Sequence, residues 1–344
     1  MTWFDESRLD DEIALGSADL RLRTLAESGA RVRREAGAAT DAIAEAVTRA
    51  SDARPRAVIA AGPDSRLLRA VLEPWCPVPF VAWPSGGLPG WAGSLDLVVV
   101  LAPDGSDTGT ASAVAEAARR GCQVVVACPE ESIVAQHAAG RWTSVLPTST
   151  GDQLATAVVM LSFLHQVTLG PSCDPGSVAE ALDDVAIACS PQRDISINPA
   201  KMLAISLADA SPVVWGGSVL AARAARRVAE SIRRTSGRTA VAGDAEHLLP
   251  VIEAARPRNV FADPYADGTK QGSERRPVLL ILDDGSDDPA AREQRGRLEE
   301  AARAREVRVE KVTTEAEGEV ARYASLLLNG TYAAEYLRLG LVED

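Results

Sequence analysis

Short apolar segments alternate with segments of helical periodicity along the first half of the chain. Residues 57–61, 96–101 and 123–127 are almost wholly apolar and too short for buried helices. Runs of this kind are typical of parallel strands that are covered on both faces. Residues 67–72 and 110–120 follow the first two runs and carry apolar side chains at helical spacing. We therefore expect a doubly wound parallel sheet in this half.

The same alternation starts again in the second half. Strands are expected at 213–216, 239–242, 259–261, 278–282 and 307–312. An apolar helix at 152–169 and a second helix at 178–188 separate the two halves. The predicted fold class is α/β, with two doubly wound parallel-sheet domains, a helical N-terminal arm and a helical connector. The expected boundaries are 1–39 for the arm, 40–150 for the first domain, 151–189 for the connector and 190–344 for the second domain.

The charge balance narrows the classes of partner. The 344 residues include 48 Asp and Glu against 36 Lys and Arg, a formal net charge of -12. Binding to a phosphate backbone relies on basic side chains, so a nucleic-acid partner is disfavoured. No apolar run reaches membrane-spanning length, and the acidic start lacks the pattern of a signal peptide. We expect a soluble, cytoplasmic protein with no membrane partner.

The cysteines and histidines do not form a metal-binding pattern. Five cysteines and three histidines are spread along the chain, with no CxxC or HExxH spacing. Buried, reduced thiols are the favoured interpretation, and we expect no metal. Glycines follow two predicted strands, but neither a dinucleotide-binding nor a P-loop motif is present. No cofactor is therefore predicted.

Four stretches, in order along the chain, resemble one protein family. They are residues 58–62 with Leu-Pro-Gly-Trp at 88–91 and the 97–101 strand, Asn-Pro-Ala-Lys-Met-Leu-Ala at 198–204 with 212–216, the strand end at 279–284 with Arg295, and Asn-Gly-Thr-Tyr-Ala-Ala-Glu-Tyr-Leu at 329–337 with Gly340. Together they resemble the bifunctional phosphoglucose/phosphomannose isomerases, which are built from two SIS (sugar isomerase) domains. The resemblance implies two SIS-type domains, a sugar-phosphate ligand and a homodimer.

The family binds the sugar phosphate with a Ser-Tyr-Ser-Gly-Asn-Thr loop, which this chain replaces with Ala-Pro-Asp-Gly-Ser-Asp at 102–107. Asp104 and Asp107 stand at hydroxyl positions and would repel a phosphate dianion. Pro63, in the eroded first glycine-rich turn, also lacks an N–H. By resemblance, the phosphate-binding candidates are Gly62, Ser65, Gly105, Ser106, Thr108 and Thr110. The competing interpretation is that Asp104 or Asp107 caps the following helix.

The family's catalytic groups are only partly represented. Alignment of the 227–236 helix puts Arg234 at the position of the family's glutamate base, and Glu230 lies one turn earlier. Glu230 is therefore the candidate base, although a surface ion pair with Arg234 is the more common role for that spacing. His247 lies near the position of the ring-opening histidine, but a structural or solvated histidine is the alternative. The family's catalytic lysine follows the closing helix, and no counterpart occurs in this sequence.

These substitutions leave three functional interpretations open. The favoured interpretation is a protein that binds a sugar phosphate, as a carbohydrate derivative, and is weakly active or inactive as a glucose-6-phosphate/mannose-6-phosphate isomerase. One alternative is an active aldose–ketose isomerase of hexose 6-phosphates. A further alternative is a regulatory or scaffold protein of sugar metabolism, because a fold does not fix a function.

Overall fold

The computed structural model describes residues 3–50, 54–255 and 275–342. The chain forms two compact units: an inserted unit, Glu27–Glu180, and a terminal unit, Met1–Ala26 with Ala181–Asp344. Residues of the predicted arm and of the predicted connector occur in both units. The four-part sequence division therefore stays a prediction, and the two compact units are used below.

The chain enters the terminal unit first and then builds the inserted unit. The first elements are β1 (Trp3–Phe4), a 3₁₀ turn (Glu6–Leu9) and α1 (Glu12–Ala26). The inserted unit then contains α2 (Ser28–Ala38), α3 (Thr40–Ala50), β2 (Val58–Ala61), α4 (Ser65–Leu72), β3 (Phe80–Trp83), β4 (Leu97–Leu101), α5 (Thr108–Arg119), β5 (Gln123–Cys128), α6 (Ile133–His137), β6 (Thr143–Pro147) and α7 (Gln153–Gln166).

The five strands of the inserted unit form a parallel sheet in the order β3-β2-β4-β5-β6. One face packs against α5 and α6, where Val98, Val100 and Val126 meet Val114 and Val134. The other face is covered by α7, against which α2 and α3 pack. The central strands are buried on both faces, which explains why their sequences are continuous apolar runs.

The terminal unit resumes at α8 (Pro175–Ala188), which crosses the boundary between the units. Its further elements are a 3₁₀ turn (Ile195–Ile197), α9 (Pro199–Leu207), β7 (Ala210–Gly216), α10 (Val219–Ser236), β8 (Val241–Ala242), α11 (Ala245–Glu253), β9 (Arg276–Asp283), α12 (Pro289–Ala304), β10 (Arg308–Thr313), α13 (Glu319–Gly340) and β11 (Leu341–Val342). The strand expected at 259–261 lies outside the described residues.

A second parallel sheet, in the order β10-β9-β7-β8, lies at the centre of the terminal unit. Helices α11 and α12 cover one face through Ile252 and Leu298, and α10 packs on the other face beside α13. Two separate parallel sheets, and a helix rather than a strand at Gln153–Gln166, confirm the predicted fold class. Among the described residues, no helix is long and apolar enough to cross a bilayer.

The two ends of the described chain are joined within the terminal unit. Strands β1 and β11 pair antiparallel, and the Asp5 N–H donates to the Gly340 carbonyl at 2.8 Å. A methyl group at Gly340 would overlap the ring of Phe4, so only glycine fits there. A second contact involves Asp10, which follows soon after Phe4 along the chain. The fully buried Lys201 ammonium donates to Asp10 and to the carbonyls of Pro191 and Arg193 at 2.6–2.8 Å. These contacts hold the N-terminal segment against the unit.

Candidate functional site

The carboxyl edge of the inserted sheet brings three of the predicted phosphate residues together. The chain leaves β2 toward β3 and returns to β4 on the other side of β2, which makes this edge a topological switch point where ligands commonly bind. Gly62 follows β2 with φ +89°, and a methyl group there would lie 3.0 Å from Thr110 Oγ1. The Ser65 N–H donates to the Gly62 carbonyl at 3.1 Å. Ser65 Oγ is buried and has no hydrogen-bond partner in the described part of the chain.

The other three candidates divide into one structural residue and two exposed hydroxyls. Gly105 adopts φ +62°, and a methyl group on it would overlap the Ser132 side chain. The close approach to Ser132, which caps α6, explains this glycine without a ligand. Ser106 and Thr108 are exposed beside and at the start of α5. Their hydroxyls are open to solvent.

Asp107 occupies the N-terminus of α5, where the family binds phosphate. Its Oδ2 accepts hydrogen bonds from both the Thr110 N–H and the Thr110 Oγ1, each at 2.6 Å. These two bonds lower the pKa of the Asp107 carboxyl, with the hydroxyl bond the largest cause. The capping interpretation is therefore confirmed for Asp107. The donors that would meet a phosphate at this turn are already held by a carboxylate.

The helix after β6 begins in the same way. The Asp152 Oδ1 accepts the N–H groups of Leu154 and Ala155 at 2.9 and 3.0 Å, and Oδ2 pairs with Arg31 at 2.8 Å. In the turn just before this helix, the Ser149 N–H donates to the fully buried Glu35 carboxylate at 2.8 Å. Glu35 also binds the next N–H, so a carboxylate sits where a backbone turn presents paired donors.

Two further acidic side chains lie around this edge. Asp64 immediately precedes α4 and accepts a hydrogen bond from the Gln153 amide. Asp104 is exposed, and its Oδ1 lies near the turn at Gly151, 3.2 Å from where a methyl group would project. This edge is thus acidic, whereas the phosphate-binding loop of the resembled isomerase family is rich in hydroxyl groups. A dianionic ligand would meet both fewer free donors and more negative charge.

The candidate base, Glu230, lies on α10 between two arginines. Its Oε2 is 2.8 Å from Arg227 Nη1 and its Oε1 is 3.5 Å from Arg234 Nη1. The surface ion-pair interpretation is therefore confirmed for Arg234. His247 is exposed in the first turn of α11.

The carboxyl edge of the terminal sheet is also occupied by the chain's own polar groups. Gly216 ends β7, and a methyl group there would overlap the Ala221 backbone. Ser218 Oγ caps α10 by accepting the Ala221 N–H at 3.0 Å and donates to Asp284. At the end of β9, Asp283 forms an ion pair with Arg295. The Asp283–Arg295 pair gives a structural role to two residues that carry the family resemblance.

Glu35 and Asp152 are the site residues that sequence reasoning missed. Asp152 had a local signal, because an aspartate directly before an apolar helix is a common N-cap. Glu35 had none, since its bonds to the turn at Ser149 join residues 114 positions apart. In the described residues, no group of three or more His, Cys, Asp or Glu side chains is arranged to hold a metal ion.

The fold is that of an α/β protein with two parallel-sheet units, each with polar side chains at the carboxyl edge of its sheet. Residues 196–340 match the family described as the bacterial phospho-glucose isomerase C-terminal SIS domain. That match confirms, for most of the terminal unit, the family resemblance inferred from the sequence.

Solved structures extend the likeness to the inserted unit. The tagatose-6-phosphate ketose/aldose isomerase from Escherichia coli has 14% identity and a TM-score of 0.63, covering 92% of this chain and 93% of that one. The C-terminal domain of glucosamine-fructose-6-phosphate aminotransferase from Francisella tularensis has 11% identity and a TM-score of 0.60, covering 93% and 96%. At such identities the likeness shows the shared fold. No curated protein sequence matches this chain.

Proposed function

We propose that this protein binds a sugar phosphate, as a carbohydrate derivative, and is weakly active or inactive as a glucose-6-phosphate/mannose-6-phosphate isomerase. The observation that carries the proposal is the double hydrogen bond from Thr110 to the Asp107 carboxylate at the start of α5. It leaves the SIS architecture in place but puts a negative charge where the substrate phosphate of the resembled family would lie. We therefore expect the fold to be retained and the binding of a sugar phosphate to be weakened.

Some capacity for a polar ligand remains at this edge. The Ser65 hydroxyl lies buried beside Gly62 without a hydrogen-bond partner among the described residues. A buried hydroxyl without a partner is costly, and a ligand oxygen would relieve that cost. Ser106 and Thr108 add exposed hydroxyls at the start of α5. A sugar phosphate has acceptors for all three donors.

The state of Glu230 supports weak or absent catalysis. Moving a proton between two sugar carbons needs a carboxylate that faces the substrate. Glu230 instead bonds Arg227 and Arg234, so both carboxylate oxygens already face guanidinium groups. A base in this position would have to leave one or both ion pairs before it could accept a proton.

The match of residues 196–340 to a phosphoglucose isomerase domain favours one alternative, an active aldose–ketose isomerase of hexose 6-phosphates. In that case Glu230 is the candidate base and His247 the candidate ring-opening acid. Glu230→Gln and His247→Ala would each lower turnover by about 100-fold or more while leaving the melting temperature unchanged. Full turnover in both variants would exclude these two roles.

Two assays on the purified protein test the proposal. Isomerisation of fructose 6-phosphate or mannose 6-phosphate is followed with a coupled dehydrogenase, and thermal stabilisation is measured with the same compounds. We expect stabilisation by the sugar phosphate, little by the unphosphorylated sugar, and little or no turnover. Equal effects of both sugars, or turnover at an ordinary enzyme rate, would contradict the proposal. Loss of both signals would favour the regulatory or scaffold alternative.

We also propose that the protein is a homodimer in the cytoplasm. The resemblance to the phosphoglucose/phosphomannose isomerases supports the dimer, because that family places its substrate sites between two chains. Sedimentation that shows a monomer at high micromolar concentration would refute the dimer.

A further inference from the structure

A groove of about 690 Å³ runs along the edge of the terminal sheet. Its walls are the edge strand β10, the helices α9 and α13, and the end of α8. The side chains of Val185, Leu203 and Val312, all largely buried, form its apolar lining. A concave site of this size, with apolar walls and a few polar groups, is typical of small-molecule binding. Its lining residues differ from the sugar-phosphate candidates described above.

Two polar side chains of α13 face this groove without partners. Ser325 and Asn329 both line it and lie four residues apart, so they share one face of the helix. Ser325 is only 8% exposed, and its hydroxyl makes no hydrogen bond within the described part of the chain. Asn329 Oδ1 is buried and likewise has no donor among the described residues. A buried acceptor without a donor is costly, so a ligand that carries N–H groups would be stabilised here.

The charges around the groove select a cation. The carboxylates of Asp184, Glu310 and Glu315 line it, and Asp184 and Glu315 are exposed. Glu310 is half-buried, and its Oε1 accepts the Ser206 hydroxyl at 2.5 Å.

The basic side chain in this lining is Lys311, and it is already paired. Its Nζ lies 2.7 Å from Glu299 Oε1 on α12. The lining therefore offers a bound cation three carboxylates and offers a bound anion no unpaired ammonium or guanidinium group.

We propose that this groove binds a small aliphatic amine. An alkylammonium group carries three N–H donors and no acceptor. It can donate to Asn329 Oδ1, to the Ser325 hydroxyl oxygen and to a carboxylate, while its alkyl chain lies against the apolar lining. The unpaired acceptors and the negative charge of the groove are thus met by one ligand group. This site goes beyond the proposed sugar-phosphate function and does not depend on it.

An NMR titration of the ¹⁵N-labelled full chain tests the site, with butane-1,4-diamine as the probe. The matched ligand is butane-1,4-diol, which has the same chain and no charge. We expect saturable binding of the diamine with a dissociation constant of about 1 mM, as suits so small a molecule, and at least tenfold weaker binding of the diol. The shift changes should be concentrated at Val312, Ser325 and Asn329. No saturation by about 10 mM diamine, or an equal response to the diol, would overturn the proposal.

Two variants separate this groove from general attraction to a chain of net charge -12. Asn329→Leu should weaken diamine binding about tenfold, because it removes an acceptor of a charged donor at similar side-chain volume. Glu315→Gln should weaken it several-fold, and the exposed position keeps the fold intact if Asn329→Leu does not fold. The matched control is Glu246→Gln, which removes the same charge from an exposed site on α11, across the sheet. Equal weakening in the control, or wild-type affinity in Glu315→Gln, would overturn the site.

Discussion

Replacing Asp107 with asparagine removes the charge at the start of α5 and little else. Asparagine is as good a helix N-cap as aspartate, so its side-chain oxygen can still accept the Thr110 N–H. The Thr110 hydroxyl keeps a neutral acceptor. The variant therefore retains the local fold and loses one negative charge where the ligand phosphate is expected.

The magnitude follows from the position of the carboxylate. A phosphate bound at this helix start would lie about 6 Å from it, where two unit charges interact by about 2.8 kcal/mol at an effective dielectric constant of 20 and about 0.7 kcal/mol in water. Asp107 is exposed, so screening moves the value toward the lower figure. The range corresponds to about 3-fold to 100-fold in affinity, and we expect about tenfold tighter binding of fructose 6-phosphate by Asp107→Asn.

Calorimetric titration at low and high salt measures this effect. The matched control is Asp174→Asn. The Asp174 carboxylate accepts hydrogen bonds from the N–H and the hydroxyl of Ser177, both at 2.8 Å, and these bonds lower the pKa of Asp174 as the Thr110 bonds lower that of Asp107. Asp174 lies near His165, at the end of α7 opposite to the phosphate candidates. The gain should appear for Asp107 alone and shrink with salt. An unchanged affinity, or an equal gain in the control, would refute the electrostatic argument.

Two further predictions concern the stability of the chain, and a third concerns its thiols. Gly340→Ala should destabilise the protein by about 1–3 kcal/mol through overlap with the Phe4 ring, whereas Gly296→Ala, in open space on α12, should raise the melting temperature slightly. Lys201→Met should cost about 2–4 kcal/mol in urea unfolding because the carbonyls of Pro191 and Arg193 and the Asp10 carboxylate lose the buried ammonium that binds them, and an unchanged midpoint would contradict that role. Burial raises the pKa of all five thiols, so at pH 8 an aromatic disulfide reagent should modify at most Cys76 quickly, and all five after denaturation.

The features that could be predicted from the sequence are those with local signals. Leu97–Leu101 is apolar at every position because both of its faces are covered, and continuity of that kind is visible in a single sequence. Asp107 stands three residues before Thr110, the spacing of an N-cap bond, so its role could be stated as an alternative. The ion pair between Glu230 and Arg234 follows from helical spacing in the same way.

The features that could not be predicted depend on contacts between distant segments. Glu35 reaches the turn at Ser149 only because α2 packs on α7, and no local pattern encodes that packing. The pairing of β1 with β11 joins the two ends of the described chain, and α1, which follows β1, belongs to the terminal unit. A sequence reading of residues 1–39 as one arm has no means of separating α1 from α2, since the two helices are almost continuous.

We propose that the chain keeps the fold of the sugar-phosphate isomerases it resembles, while its own carboxylates occupy the edge where a sugar phosphate would bind. NMR of fructose 6-phosphate with the protein in D₂O tests it most directly, because aldose–ketose isomerisation exchanges the transferred proton with solvent. We predict saturation transfer from protein to ligand, with no deuterium incorporation and no aldose product above the protein-free rate. Rapid incorporation that disappears in Glu230→Gln would contradict the account and establish an active isomerase.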